Sequence, residues 1–78
     1  MGLSDLPDAS GVRHQRTFES LGWVTRRAAE HIILTHPEVF GVTLAIPNHK
    51  IVKRATLHNL VRTAGLSDKA YRKTFDSL

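Results

Sequence analysis

The chain has 78 residues and a formal net charge of +4 at pH 7, from 11 Lys and Arg against seven Asp and Glu. We expect a chain of this length to be one small domain or a fragment of something larger, and it is too short for a large multi-step enzyme. It contains no cysteine, so disulfides and thiolate zinc sites are excluded, and we expect a cytoplasmic protein. No apolar run is long enough to span a membrane, and residues 1–7 have no signal-peptide pattern.

In chain order, residues 1–9 show no periodicity, and we expect them to form a flexible N-terminal arm. Ser10 is a suitable N-cap for a helix over about 11–21, which Gly22 would end. The apolar face of this helix is thin and includes His14. A half-buried structural imidazole explains that histidine more simply than a ligand does.

Three runs of β-branched and aromatic residues follow, at 22–27, 31–35 and 42–46, with breaks short enough for hairpins. The third run alternates apolar and polar residues, which indicates one buried face. We therefore predict an antiparallel meander. On a regular strand Arg26 and Arg27 point to opposite faces, so at most one of them is expected on any one surface.

Pro47 ends the third run, since proline cannot donate to a strand ladder. Residues 48–55 then form a basic loop. Thr56 is the predicted N-cap of the second helix, whose apolar residues have helical spacing and which ends at Gly65.

A last helix is predicted after Ser67, with Tyr71, Phe75 and Leu78 on one face. The element order is then α-β-β-β-α-α within a single domain of residues 10–78. We predict an α+β fold in which helices cover one face of a three-stranded antiparallel sheet, leaving the other face free to meet a partner.

The loop after the sheet concentrates positive charge in one short segment. His49, Lys50, Lys53 and Arg54 lie close together in the sequence, and such a cluster beside a compact fold is typical of a phosphate-binding surface. Charge alone is explained equally well by a solvated loop without a ligand.

Five histidines suggest a metal site, but their spacing does not. His31 and His36 lie five residues apart on one predicted strand, so their side chains point to opposite faces. We therefore expect no metal and no other cofactor. RNA cleavage needs fewer converging residues than a metal site, because a single imidazole can serve as base or acid while Lys and Arg stabilise the phosphate. Composition does not say which histidine would act, but His36 and His58 are most simply explained as solvent-exposed.

Short motifs occur along the chain in a fixed order and spacing. They are Ser10-Gly11, Leu21-Gly22-Trp23, Arg27, His31, His36-Pro37, Pro47-Asn48-His49-Lys50, Thr56-Leu57 and Ala64-Gly65-Leu66-Ser67. Together these motifs resemble the HicA (YcfA-like) toxins over about residues 7–75. The resemblance implies a ribosome-independent mRNA interferase of a type II toxin–antitoxin system, neutralised by a HicB-type antitoxin.

The same resemblance implies a small double-stranded-RNA-binding-like fold and a catalytic histidine at the start of the second strand. The matching residue is His31, and we expect Arg27 and the basic loop (His49, Lys50, Lys53 and Arg54) to bind the RNA. The Gly-Ser pair that precedes this histidine in the family is here Ala29-Glu30, and the Gly before Thr56-Leu57 is here Ala55.

Two alternatives to the nuclease stay open at this point. Because Ala29-Glu30 replaces the family's Gly-Ser, the chain is also explained as a divergent or inactive member that binds RNA or a protein without cutting. A DNA-binding module built on the last two helices is the weaker alternative, because few basic side chains remain on the last helix to contact a groove.

Overall fold

The computed structural model describes residues 5–78. It consists of one sheet and three helices in the predicted order α-β-β-β-α-α, which confirms the predicted α+β class. The elements are α1 (Gly11–Ser20), β1 (Val24–Ala28), β2 (His31–His36), β3 (Val39–Pro47), α2 (Arg54–Thr63) and α3 (Asp68–Asp76). Within residues 5–78, no helix has the length and apolar character needed to cross a membrane.

The three strands form an antiparallel sheet in the order β1-β2-β3. Its inner face carries four fully buried residues, in facing pairs between β2 and β3: Ile32 with Ile46, and Leu34 with Leu44. The helices add Phe18, Leu57, Val61, Tyr71 and Phe75 to the same core. The alternation of residues 42–46 thus predicted the buried face correctly.

Helix α1 begins and ends as its sequence predicts. The Ser10 side chain accepts a hydrogen bond from Arg13 N, and Gly22 follows the helix with a φ of 97°. The imidazole of His14 is wholly buried, whereas a half-buried ring was expected. Its Nδ1 forms a 2.7 Å hydrogen bond with the Tyr71 hydroxyl of α3, and Nε2 has no hydrogen-bond partner among residues 5–78.

Burial shifts the pKa values of both His14 and Tyr71. It lowers the pKa of His14 to about 4, with a smaller contribution from the charge of Arg13. Burial also raises the pKa of the Tyr71 phenol well above its usual value. Both shifts follow from the cost of charging a group that water cannot reach.

Strand β1 contains a bulge that the sequence does not reveal. Thr25 pairs with Leu34 and Arg27 with Ile33, so the register shifts at Arg26. The Arg26 Nε donates to the Thr35 hydroxyl at 2.8 Å, and Thr35 lies on the outer face of β2. Because a bulge inserts one unpaired residue, both arginines lie on the outer face. The prediction that they point to opposite faces was wrong.

Several helix and strand boundaries also differ from those predicted. Strand β3 begins at Val39, earlier than the predicted residue 42. The register between β2 and β3 is irregular at this point, and Phe40 is 99% exposed. Helix α2 begins at Arg54, with Lys53 as an N-cap that makes no side-chain hydrogen bond, so Thr56 lies inside the helix. At the C-terminus, Leu78 lies beyond α3 and is exposed.

Two histidines expected at the surface are partly buried instead. The Nε2–H of His36 donates to Leu21 O at 3.2 Å, while Glu38 N donates to its Nδ1 at 3.0 Å. The same ring packs edge-on against Trp23, which lies in the core. His58 of α2 contacts the Asp68 carboxylate of α3 at 2.9 Å. These rings hold neighbouring elements together.

The segment before α1 is packed against the domain where it is described. Leu6 is buried, Val52 N donates to Ala9 O at 2.9 Å, and Asp8 contacts α2. Residues 1–4 of the expected N-terminal arm lie outside the described residues.

Candidate functional site

The histidine selected by the family resemblance lies in a groove at one end of the sheet. His31 is the first residue of β2 and is exposed. The groove has a volume of about 210 Å³ and is lined by Arg27, Ala29, Glu30, His31 and Ile33. An imidazole, a guanidinium and a carboxylate therefore border one small open space. These groups can transfer protons and hold an anion.

The bulge in β1 accounts for the arginine in this groove. Arg27 pairs with Ile33, two residues beyond His31 on the same strand, so all three side chains share the outer face. Without the bulge, Arg26 would take the place of Arg27 beside Ile33. Arg26 instead bonds Thr35 further along the sheet.

The turn that leads into His31 forms without glycine. Among residues 5–78, only glycines have a positive φ, so Ala29 and Glu30 adopt backbone conformations open to any residue. Ala29 N donates to His31 O at 3.2 Å across this turn. Ala29 and Glu30, which stand where the family resemblance implies Gly-Ser, therefore form this turn without a positive φ and bring a carboxylate to the groove.

A second segment holds the same turn from the side of β3. The Asn48 backbone N–H donates to Glu30 O at 3.0 Å, and its side-chain Nδ2 donates to Ala29 O at 2.9 Å. Pro47, the preceding residue, is the cross-strand partner of His31. The basic loop therefore starts directly beside the candidate histidine.

The start of α1 supports this loop in turn. Gly11 N donates to His49 O at 2.9 Å. Gly11 is buried, and a Cβ built on it would collide with Pro47 O and lie 3.1 Å from Asn48 Cα. Only glycine allows the two backbones to approach so closely.

The structure places the predicted cationic residues of the loop in different environments. The side chains of His49, Lys50 and Lys53 are exposed. Arg54 forms a two-point ion pair with Asp8, with Nε to Oδ1 and Nη2 to Oδ2 both at 3.0 Å. Both partners are about half exposed, and such surface pairs are weak, so a phosphate can compete with Asp8 for Arg54.

Sequence reasoning did not assign three of these residues to the site. Glu30 was noted only as a departure from the family, and Asn48 only as part of a motif, although it contacts a turn 19 residues away. Asp8 lies 46 residues from Arg54. A single sequence has no signal for the long-range contacts of Asn48 and Asp8, whereas Glu30 adjoins His31 and its position could have indicated it.

Two further findings concern the rest of the described surface. No group of three or more His, Asp or Glu side chains within residues 5–78 is arranged to hold a metal ion. A larger groove of about 590 Å³ lies between α2 and α3, where His58, Arg62, Asp68 and Lys69 are among its lining residues. Its charges are mixed, and none of the predicted site residues lines it.

Fold and site together define a small α+β domain with an exposed histidine, an arginine and a glutamate around one open groove. Residues 13–66 match the family model described as HicA toxin of bacterial toxin-antitoxin, and the chain belongs to the HicA toxin family. The predicted resemblance is thereby confirmed. The family consists in general of ribonuclease toxins that act with an antitoxin partner. A comparison with curated proteins gives no match to the chain.

Proposed function

We propose that this chain is a metal-independent endoribonuclease that cuts mRNA with His31 as its catalytic residue. The observation that carries the proposal is the groove in which His31, Arg27 and Glu30 meet beside the basic loop. A domain of this size needs no deeper pocket, because RNA carries its own nucleophile in the 2′-hydroxyl.

The proposed step is an internal transfer at phosphorus. A base removes the 2′-hydroxyl proton, the 2′-oxygen attacks the adjacent phosphorus, and the bond from phosphorus to the 5′-oxygen breaks. An acid gives a proton to the departing 5′-oxygen. The products are a 2′,3′-cyclic phosphate and a 5′-hydroxyl, and no oxidant, metal or water is consumed.

His31 and Glu30 supply the two proton-transfer groups that this step requires. An imidazole and a carboxylate that border the same groove can act as an acid and base pair. We assign Glu30 as the base and His31 as the acid, and Arg27 as the cation that stabilises charge on the phosphorus oxygens. Glu30 thus has a chemical role in addition to being a departure from the family pattern.

The loop beside the groove supplies the RNA-binding surface in this proposal. Lys50 and Lys53 are exposed and free of ion pairs within residues 5–78, and His49 is exposed beside them. Phosphates held by these side chains would place a neighbouring nucleotide over His31, since Pro47 pairs with it. Arg54 would join this surface by exchanging Asp8 for a phosphate.

The proposed partner is an antitoxin of the HicB type that covers the groove. The outer face of the sheet offers partly exposed Val24 and Ile33 beside Arg26 and Arg27, and the fully exposed Phe40 lies near one edge. Apolar side chains bordered by cations suit a partner with an acidic rim.

One observation favours a second candidate function, a binding module without nuclease activity. Glu30 adds a negative charge to the groove where a phosphate would have to lie, and if this repulsion outweighs the attraction of Arg27, no phosphate binds beside His31. In that case the chain binds RNA or a protein partner without cutting.

The experiment that separates the two candidates is induction of the chain in bacteria. The nuclease predicts growth arrest and mRNA decay with the wild-type chain, relieved by co-expression of the antitoxin and absent with His31→Ala. Asn59→Ala serves as the control, because its side chain is exposed on α2 and belongs to neither the groove nor the basic loop. Equal toxicity of wild type and His31→Ala would remove His31 from the mechanism.

A further inference from the structure

We propose that Asn48 is a positioning residue that fixes His31 for catalysis by holding the β1–β2 turn through its side-chain amide. The inference rests on the proposed function of His31 and adds to it the group that sets the histidine's orientation. The Asn48 Nδ2 donates to Ala29 O at 2.9 Å, two residues before the imidazole.

The contact is independent of what holds the Asn48 loop itself. That loop is fixed by the bond from Gly11 N to His49 O and by Val52, which is buried and donates to Ala9 O. The side-chain amide is therefore not needed to fold its own segment. Its hydrogen bond instead restrains the β1–β2 turn.

The turn has few other restraints among residues 5–78. Ala28, Ala29 and Glu30 are exposed, and their side chains contribute nothing to the buried core. Besides the ladder of β1 with β2, the backbone contacts of the turn are Ala29 N to His31 O and Asn48 N to Glu30 O. The Asn48 amide adds the one side-chain hydrogen bond to this turn, and His31 follows it directly.

Positioning matters because proton transfer depends on short distances. The acid must lie within hydrogen-bond reach of the departing oxygen, and misplacement by about 1 Å can cost on the order of a hundredfold in rate. A turn that loses one hydrogen bond samples more conformations, so His31 spends less time in the productive geometry. Binding of RNA by the cations of the loop does not depend on this geometry.

The test compares Asn48→Ala and Asn48→Asp with wild type. The Asp side chain has nearly the same shape but cannot donate when ionised, so both variants lose the bond. The control is Asn59→Ala, because Asn59 is the other asparagine of the chain and is exposed on α2. Cleavage is followed with a short single-stranded RNA that carries a fluorophore and a quencher.

Asn48→Ala is expected to lower kcat on the order of tenfold while KM changes by less than about twofold. In nuclear magnetic resonance spectra, the His31 ring signals should shift and the Ala29 amide should exchange about five- to tenfold faster. Asn48→Asp should move the same His31 and Ala29 signals, and Asn59→Ala should change none of these quantities.

The spectra decide the proposal even if the wild-type chain does not cut RNA, in which case the proposed function fails separately. Unchanged His31 and Ala29 signals in either Asn48 variant would overturn the inference. So would shifted signals with an unchanged kcat in a chain that cleaves.

Discussion

At the scale of single residues, the replacement of the family's Gly-Ser by Ala29-Glu30 affects the chemistry of the groove more than its shape. The turn needs no positive φ at either residue, so the loss of glycine costs little in backbone energy. What changes is the charge, because Glu30 faces the same space as His31 and Arg27. The role of this carboxylate is therefore open to a direct test.

If Glu30 is the base, Glu30→Gln should lower kcat by about 10²- to 10⁴-fold, the usual contribution of a positioned proton-transfer group. The acidic limb of the pH–rate profile should disappear with it, because the group that must lose its proton is gone. Glu38→Gln, at an exposed glutamate of the β2–β3 turn, should leave the profile unchanged. A Glu30→Gln chain as fast as wild type would remove Glu30 from the proton transfer, and a chain that binds RNA more tightly would mean that Glu30 repels RNA.

The buried His14 makes the stability of the fold depend on pH. Its pKa is about 4 in the folded chain against 6.5 when exposed, so the unfolded chain binds a proton that the folded chain refuses. Stability should therefore fall as pH falls from about 6.5 to about 4, by on the order of 3 kcal/mol if His14 acts alone. Urea unfolding at several pH values measures this slope.

The matched variants for this slope are His14→Gln and His49→Gln. Removing the buried imidazole should flatten the slope between pH 6.5 and 4, whereas removing the exposed imidazole of His49 should leave it as in wild type. An equally steep slope in His14→Gln would assign the acid sensitivity to other groups.

At the scale of elements, the site is assembled from contacts between α1, the loop after β3 and the β1–β2 turn. Gly11 lies under the loop, the loop carries Asn48, and Asn48 holds the turn before His31. The helix start and the histidine are thus linked through backbone contacts. A change at Gly11 should reach the groove through the loop.

Gly11→Ala tests this link. In most helices this change is stabilising, by roughly 0.5–1 kcal/mol. Here the new Cβ would collide with Pro47 O, so we expect a loss of about 1–3 kcal/mol instead, the usual cost of overpacking. Urea unfolding gives the sign. The neighbouring Val12→Ala, at a residue 42% exposed, is the control and should cost much less. A stabilised Gly11→Ala chain would contradict the close approach.

Two substitutions at the basic loop should change RNA binding in opposite directions. Lys53→Ala removes an exposed cation. The slope of log affinity against log salt concentration should therefore become shallower by about 0.7, the value for one phosphate on a single strand. Asp8→Ala frees Arg54 from its ion pair, so affinity should rise and this slope should steepen by a similar amount. Binding to the His31→Ala chain, which should not cut RNA, can be followed by fluorescence anisotropy.

Lys69→Ala is the matched control, because Lys69 lies on α3 beside the other groove. All RNA sequences should be affected alike, since phosphate contacts position the strand without reading bases. Equal salt dependence in all three variants would mean that the loop is only solvated.

At the scale of the whole molecule, the sequence predicted the features that depend on local pattern. The order of elements, the Ser10 cap and the buried face of β3 all follow from spacing and capping residues. These signals lie within a few residues of one another, so a single sequence contains them.

The features that were missed depend on contacts between distant residues. The bulge at Arg26 is set by pairing with β2, and it reverses the expected placement of one arginine. The first turn of α2 forms on Lys53 without a side-chain cap, so the usual capping signal pointed to Thr56. The Asp8–Arg54 and Asn48–Ala29 contacts join segments that the sequence separates widely.

The central claim is that His31 cuts RNA without a metal. The most direct measurement is cleavage of a single-stranded RNA by purified wild-type chain and by His31→Ala, in excess EDTA, with the product ends identified by mass spectrometry. The claim predicts cleavage by wild type in EDTA, cyclic-phosphate and 5′-hydroxyl ends, and loss of cleavage in His31→Ala. Cleavage that EDTA abolishes, or that His31→Ala retains in full, would contradict it.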